Sequence, residues 1–185
     1  MTQMMRRKKI LKRLCLNSPF LAPTEGLWGF SGVASNIDVC HQINYLKQRT
    51  ADKSFIVLYH ALCEKEVMSW VSWEEVTSAD KLLYEKNRKK FITYLLPASK
   101  ICPKHLIKNG KLSLRYIHCG SISKVFKDVP HPIVSTSANK SGSPTITRRS
   151  VLQKSYPDIF IYPGRLGGRL KGSSIIDLQT KERLR

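Results

Sequence analysis

The chain contains the stretch Ser135-Thr136-Ser137-Ala138-Asn139-Lys140-Ser141-Gly142, directly after the apolar pair Ile133-Val134. This order predicts a short buried strand that leads into a polar loop ending at glycine. Hydroxyl groups and free backbone N–H groups at the end of a strand can surround the oxygens of a phosphate or a carboxylate. Polar loops of this kind are more often ordinary turns, so the stretch alone indicates only a candidate anion site.

The composition limits the class of protein and the class of partner. The 185 residues are 42% hydrophobic, which is enough for one core, and we expect a single domain over residues 1–185. The 32 Lys and Arg against 13 Asp and Glu give a net charge of +19, which favours a polyanionic partner. Nucleic acid is the first candidate, because clustered cations release counterions from phosphates. No apolar run is long enough to span a bilayer, and no membrane partner is expected.

The five cysteines are odd in number and dispersed, which favours a reducing, cytosolic setting over a disulfide framework. Cys102 and His105, followed by His118 and Cys119, could in principle bind zinc. The second pair is adjacent, however, and structural zinc sites space their ligands. We therefore predict no metal site.

Apolar patterns predict an α/β fold with an open, twisted, mixed sheet and flanking helices. Strands are predicted at residues 20–22, 55–59, 91–96, 112–117, 159–162 and 173–177. A basic opening helix, a helix capped by Ser35 or Asn36, and further helices within 61–90, 122–126 and 151–156 are predicted between them. The basic start could also be a transit peptide or an arm for RNA, but the strand at 20–22 follows so closely that we assign it to the domain.

The glycines at positions 26, 29 and 32 predict a loop over residues 26–32 that contains Trp28 and Phe30. Packing of these rings under the loop is favoured over stacking on a base. Neither a Gly-x-x-x-x-Gly-Lys-Ser/Thr nor a Gly-x-Gly-x-x-Gly fingerprint is present.

Two sets of cations stand beside predicted strands. Lys47, Arg49 and Lys53 follow a helix and precede the strand at 55–59, where ligands often bind, although a solvated basic turn is an equal alternative. Arg115 falls inside a predicted strand. Such an arginine usually faces solvent, but beside a polar loop it can hold a carboxylate through two parallel hydrogen bonds.

Four motifs, in this order along nearly the whole chain, resemble the TsaC/YrdC family of threonylcarbamoyl-AMP synthases, in its short single-domain bacterial form. They are Pro23-Thr24-Glu25, Lys47-Gln48-Arg49 with Lys53, the stretch from Ser135 to Gly142, and the segment from Pro163-Gly164 through Gly168-Arg169 to Ser174-Ile175-Ile176-Asp177. The resemblance implies a YrdC-like fold with a concave basic surface. It also implies a cytoplasmic enzyme, a nucleotidyltransferase.

The resemblance further implies that L-threonine, bicarbonate and ATP give threonylcarbamoyl-AMP and pyrophosphate, with Mg²⁺ on the ATP phosphates. The product would feed the threonylcarbamoyladenosine modification of tRNA, with tRNA or other RNA and the tRNA threonylcarbamoyl-transfer proteins as partners. It implies ATP-binding roles for Lys47, Arg49, Lys53, Ser137, Asn139 and Arg169. It implies threonine- or bicarbonate-binding roles for Thr24, Arg115, Ser135 and Ser174. No activated nucleophile is needed, and no catalytic residue is assigned.

The sequence departs from the family pattern mainly on the threonine side. A Pro-Gly-Pro-x-Thr stretch is replaced by Lys-Lys-Phe-Ile-Thr at 89–93, and Gly26 stands for the second threonine of Pro-Thr-Glu-Thr. The Gly-Leu-Gly-Cys/Ala-Asp stretch reads Gly-Phe-Ser-Gly-Val at 29–33, and the usual His-Pro does not follow Arg115. A divergent synthase is the preferred hypothesis. A non-catalytic RNA-binding module and a carbamoyl-transfer domain that uses carbamoyl phosphate remain as alternatives.

Overall fold

Strands and helices alternate along the chain. The structure is a computed structural model that describes residues 14–50, 53–169 and 171–185. Its strands are β1 (Phe20–Pro23), β2 (Trp28–Val33), β3 (Ile56–Tyr59), β4 (Ile92–Pro97), β5 (Ile107–Lys108), β6 (Lys111–Tyr116), β7 (Ile133–Ser137), β8 (Phe160–Ile161) and β9 (Ser174–Asp177). Its α-helices are α1 (Ile37–Lys47), α2 (Glu64–Ser69), α3 (Ser78–Asn87), α4 (Gly120–Asp128) and α5 (Arg149–Ser155), with 3₁₀ turns at Ala61–Cys63, Trp73–Glu75 and Lys104–Leu106.

The strands form one mixed sheet in the order β8-β1-β2-β7-β3-β6-β4-β9, and β5 pairs with β6. The pairs β1–β8, β3–β6 and β4–β9 are parallel, and the other pairs are antiparallel. The predicted α/β class with a mixed sheet is therefore confirmed. Residues 14–17 are helical, and the rest of the predicted basic opening helix lies outside the described residues.

Helix α1 begins where the sequence predicts it. The side-chain oxygen of Asn36 accepts hydrogen bonds from the backbone N–H groups of Asp38 (3.1 Å) and Val39 (3.2 Å), which satisfies two of the free donors at the helix start. Val39 and Ile43 are buried, and α1 packs on β2. The helix ends at Lys47, because Gln48 adopts the left-handed conformation with φ of 51°. The end of the helix therefore places Lys47 and Arg49 beside β7.

Strand β7 is longer than its apolar pair indicates. It pairs on both sides, with β2 and with β3, and the pairing with β2 continues through Ser137, which lies opposite Gly29. The hydroxyl residues 135–137 therefore stand on the strand itself and are half-buried. The polar loop begins only after them.

The predicted loop at residues 26–32 is wrong over most of its length, because Trp28–Val33 is a buried strand. Trp28 and Phe30 are 3% and 0% exposed, so their rings are core residues and cannot stack on a base in this conformation. The glycines here allow close packing: a Cβ at Gly29 would lie 2.9 Å from Oγ of Ser135. Glycine therefore marks a close approach between strands at this position.

The helical region at 61–90 is also less regular than predicted. It contains α2 and α3, separated by the turn Trp73–Glu75. Leucines of a helix usually face the core, yet Leu82 and Leu83 of α3 are 72% and 37% exposed. Asp80 and Tyr84 are buried instead, and Tyr84 is hydrogen-bonded to Tyr59 of β3.

Candidate active site

A cavity of about 360 Å³ is lined by residues of β2, β3, β6, β7 and β9. Most of its polar lining residues are serines and threonines: Thr24, Ser54, Ser113, Ser135, Thr136, Ser137, Thr145 and Ser173. Its cations are Arg115, Lys171 and Arg185, and no carboxylate occurs among the described lining residues. Hydroxyls and cations without a competing carboxylate suit an anionic ligand that is rich in oxygen.

The strand pleat explains why these side chains meet. Side chains two residues apart point to the same face of a strand. Ser113 and Arg115 of β6 therefore share the cavity face, as do Ser135 and Ser137 of β7.

Arg115 is 6% exposed, so the expectation that a strand arginine faces solvent is wrong here. Its Nη2 donates to Oε2 of Glu25, and its Cζ lies 4.8 Å from the ring centroid of Phe91. Its Nε is buried and has no acceptor among the described residues. Burial lowers the pKa of the guanidinium, Glu25 opposes this change, and Arg185 adds to it. An arginine stays charged even so, and a charge with an unfilled donor attracts an anion.

Thr24 lines the cavity, but its hydroxyl closes a turn. It donates to the carbonyl of Leu27 at 2.6 Å and accepts from the backbone N–H groups of Gly26 (3.3 Å) and Leu27 (3.1 Å). Thr24 therefore shapes the cavity wall, and its hydroxyl is already in use.

Ser174 lines a second cavity of about 790 Å³, together with Arg169. Its hydroxyl accepts a hydrogen bond from Arg183 at 3.0 Å. The neighbouring Ser173 lines both cavities and is hydrogen-bonded to Thr93 at 2.7 Å. The two cavities share further lining residues, so they adjoin.

Lys47 is 4% exposed and holds the backbone that leaves β7. Its ammonium donates to the carbonyl of Ser137 and, at 2.7 Å, to that of Asn139. Burial lowers the pKa of Lys47 to about 8, and the charges of Arg49 and Lys53 act in the same direction. Lys47 is therefore poised between its charged and neutral forms near pH 8.

Arg49 lies beside the cavity. Its guanidinium donates to Thr136 (3.4 Å), which lines the cavity, to the side chain of Asn44 (2.5 Å) and to the carbonyl of Lys53 (3.0 Å). It also lies 4.1 Å from the ring centroid of Phe55. These contacts fix the plane of the guanidinium at the edge of the cavity.

The side-chain amide of Asn139 and the ammonium of Lys53 hold the loop after β7 in place. Asn139 donates from Nδ2 to the carbonyls of Lys140 (3.0 Å) and Ser143 (2.5 Å), and its buried Oδ1 has no donor among the described residues. The ammonium of Lys53 donates to the hydroxyl of Ser141 at 3.0 Å. Two cations from outside the loop, Lys47 and Lys53, therefore bind it, and among the described residues it contains one unpaired buried acceptor.

Residues 16–185 match the model of the Sua5/YciO/YrdC family, which is described as telomere recombination. The chain belongs to the Sua5/YciO/YrdC family. It is 29% identical to the threonylcarbamoyl-AMP synthase of Hydrogenovibrio crunogenus over 171 residues, 88% of each chain. It is 30% identical to that of Buchnera aphidicola over 168 residues, which cover 90% of this chain and 89% of the relative. The resemblance seen in the four motifs is therefore confirmed.

Solved structures of this family share the fold. Escherichia coli YciO superposes with a TM-score of 0.78 at 18% identity, over 97% of this chain and 88% of YciO. Sua5 of P. abyssi, in a crystal structure with L-threonine, has a TM-score of 0.77 at 20% identity. That match covers 93% of this chain but 51% of Sua5, so the chain spans about half the length of that protein.

Within this Sua5/YciO/YrdC fold, the predicted ATP residues fall into two places. The residues that gather at the exit of β7 are Lys47, Arg49, Lys53, Ser137 and Asn139. Arg169 lies apart from them, on the second cavity. Of the predicted threonine-side residues, those that line the first cavity are Thr24, Arg115 and Ser135.

The sequence did not indicate several lining residues. Ser113 could have been found, because it stands two residues from Arg115 on the same strand. No sequence pattern marked Phe91 or Lys171 as a lining residue. Arg185 reaches the cavity because the chain end pairs with β9, where the backbone N–H of Ile175 donates to the carbonyl of Arg185 at 3.0 Å.

In the part of the chain that the structure describes, no group of three or more His, Cys, Asp and Glu side chains is arranged to hold a metal ion. All five cysteines are free. No helix within residues 14–50, 53–169 and 171–185 is long and apolar enough to cross a membrane.

Proposed function

We propose that the chain is a threonylcarbamoyl-AMP synthase, which forms threonylcarbamoyl-AMP and pyrophosphate from L-threonine, bicarbonate and ATP. One observation carries the proposal: the cations at 47–53 surround the exit of β7, directly beside a hydroxyl-lined cavity that contains a buried arginine. Two separate anions, a nucleotide phosphate and an amino-acid carboxylate, can be bound there side by side. The two synthases that share 29% and 30% of their residues with this chain support the proposal.

The chemistry requires positioning and charge neutralisation. The amine of threonine and bicarbonate give a carbamate with loss of water, and a carbamate oxygen then displaces pyrophosphate from the α-phosphorus of ATP. Negative charge develops on the departing pyrophosphate, so fixed cations and hydroxyls stabilise the transition state. Arg49 and Lys53 supply the cations in our proposal, and Ser137 with Asn139 orients the phosphates.

Lys47 acts in our proposal mainly through the backbone. Its ammonium is already bound to two carbonyls, so it keeps the loop after β7 in place and adds positive charge to it. Arg115 binds the threonine carboxylate in our proposal, and Thr24, Ser135 and Ser174 form the wall around it. Arg169 contacts the nucleotide.

The family resemblance implies Mg²⁺, but the described lining residues include no carboxylate that could bind it. The nearby carboxylate of Glu25 is paired with Arg115. These residues do not form a magnesium site by themselves. Mg²⁺ would therefore come with the ATP phosphates, and no step of the proposal depends on a protein ligand to it.

The test is pyrophosphate release from ATP with and without L-threonine and bicarbonate. We expect release only when both are present, and expect Arg49→Ala to abolish it while the variant still unfolds cooperatively, at a somewhat lower temperature because it loses the contacts with Asn44, Thr136 and Lys53. Lys65→Ala, which removes the same charge from the exposed surface of α2, is the control. Release that needs neither co-substrate would contradict the reaction, and wild-type turnover in the Arg49 variant would contradict its role.

We also propose that RNA, tRNA in the first place, is a partner of this basic chain, because a net charge of +19 favours phosphate-rich surfaces. The product would pass to tRNA threonylcarbamoyl-transfer proteins in the cytoplasm. RNA affinity should fall steeply as salt rises. Steep RNA binding without ATP binding would favour the non-catalytic alternative, and ATP-dependent product formation would exclude it.

A further inference from the structure

Two guanidinium groups lie on the ring of Phe91. The Cζ atom of Arg115 is 4.8 Å from the ring centroid, and that of Arg169 is 4.9 Å away. Phe91 also lines both cavities, so the ring stands at their junction. A cation over an aromatic face is attracted by the ring, and the attraction is strongest where water is excluded.

The ring of Phe91 has a different role for each of the two arginines. Glu25 accepts from Nη2 of Arg115, and the ring of Phe91 lies against the same guanidinium, with 4.8 Å between the ring centroid and Cζ. Together the two contacts define a direction for the N–H groups that Glu25 does not use. A carboxylate bound through two parallel hydrogen bonds needs such a fixed plane.

Arg169 is exposed, and the ring of Phe91 is the contact that its guanidinium makes within the described residues. Its backbone is tied to the turn 23–26, because its N–H donates to the carbonyl of Glu25 at 2.9 Å and that of Gly167 donates to the carbonyl of Thr24 at 3.1 Å. A Cβ at Gly26 would lie 2.2 Å from the carbonyl oxygen of Lys171, which shows how closely the loop and the turn approach.

We propose that Phe91 is a positioning residue of the amino-acid site: it orients the Arg115 guanidinium toward the threonine carboxylate and holds the loop bearing Arg169 against the turn 23–26. This inference rests on the proposed function. It places the determinant of amino-acid affinity on a residue outside the four motifs, in the stretch 89–93 that departs from the family pattern. The ring reaches the nucleotide side through Arg169, whereas Arg49 and Lys53 lie at the exit of β7.

Phe91→Leu and Phe91→Tyr separate the ring from mere apolar bulk. We expect the Leu variant to raise KM for L-threonine by about tenfold or more, and KM for ATP by a clearly smaller factor, because the ring contacts Arg169 and not the cations at the exit of β7. The Tyr variant, which keeps the ring, should restore both constants to within about twofold of the parent values. Phe160→Leu in β8, where the ring lines neither cavity, is the matched control and should leave both constants unchanged.

Limited trypsin digestion gives a readout that needs no activity. Cleavage after Arg165, Arg169 and Lys171, identified by mass spectrometry, should be faster in the Leu variant than in the parent, the Tyr variant or the Phe160 control. If the parent releases no pyrophosphate, the proposed function fails, and the digestion still tests the positioning of the loop. Parent-like cleavage and a parent-like KM for threonine in the Leu variant would overturn the inference, as would an equal rise in KM for both substrates.

Discussion

Replacing Lys47 by methionine should change the pH dependence of stability in a defined direction. Methionine keeps most of the unbranched side chain and removes the ammonium that donates to the carbonyls of Ser137 and Asn139. In the folded protein the pKa of Lys47 is lowered from 10.5 to about 8, chiefly by burial. At pH 7 the folded state therefore keeps a proton that it binds more weakly than the unfolded chain does.

The magnitude follows from the difference between the two pKa values. A lowering of about 2.5 units corresponds to about 3 kcal/mol of penalty at pH 7. Between pH 8 and 10.5 the folded state has lost the proton while the unfolded chain still binds it, so the unfolding free energy rises with pH in this window. Between pH 7 and 10 the parent should gain about 2.5 kcal/mol relative to the methionine variant.

Urea unfolding of both proteins at pH 7, 8.5 and 10, followed by tryptophan fluorescence, measures this difference. The buried cysteines and tyrosines have raised pKa values and destabilise the fold above about pH 9, but both proteins contain them. Only the difference between the two proteins is therefore informative. A difference that stays constant from pH 7 to 10 would refute the reasoning, because it would mean that Lys47 keeps an ordinary pKa in the folded state.

Three further predictions concern the cavity. Arg115→Lys should raise KM for L-threonine about tenfold or more in the pyrophosphate assay, because an ammonium lacks the planar fork of donors; an unchanged KM would contradict its role. Gly26→Ala should lower the melting temperature by about 2–10 °C in calorimetry, since its Cβ would overlap the carbonyl of Lys171. Removal of Arg185 should weaken ATP binding several-fold in a titration, because it takes away a cation that lines both cavities; unchanged ATP binding would contradict this role.

The sequence predicted elements whose local and tertiary requirements agree. The apolar run at 55–59 became β3 because that strand lies between β6 and β7, inside the sheet. Helix α1 was predicted with Ser35 or Asn36 as its cap; Asn36 is the cap, and Val39 and Ile43 form the buried face. In each case the same residues satisfy the local rule and the packing.

The errors occurred where one residue type serves two purposes. Glycine ends a turn, and it also lets two strands approach, as at Gly29; without knowing that β7 lies opposite, the first reading is the ordinary one. Leu82 and Leu83 lie on the outer side of α3, while the tyrosine beside them is buried through its contacts with Tyr59 and Tyr94. Hydrophobicity alone does not reveal a partner that is distant in sequence.

The candidate site shows the same limit of prediction from the sequence. A motif of cations and hydroxyls identified the exit of β7, but it could not distinguish a cation that binds the ligand from one that holds the backbone around it. Both tasks require a positive charge near oxygen atoms. Burial separates them: Lys47 is enclosed with its ammonium bound to two carbonyls, whereas Arg49, although it is also hydrogen-bonded, is partly exposed beside Thr136 at the cavity. The pH dependence of Lys47 and the turnover of the Arg49 variant therefore test two different tasks, although both residues belong to one Lys-x-Arg pair.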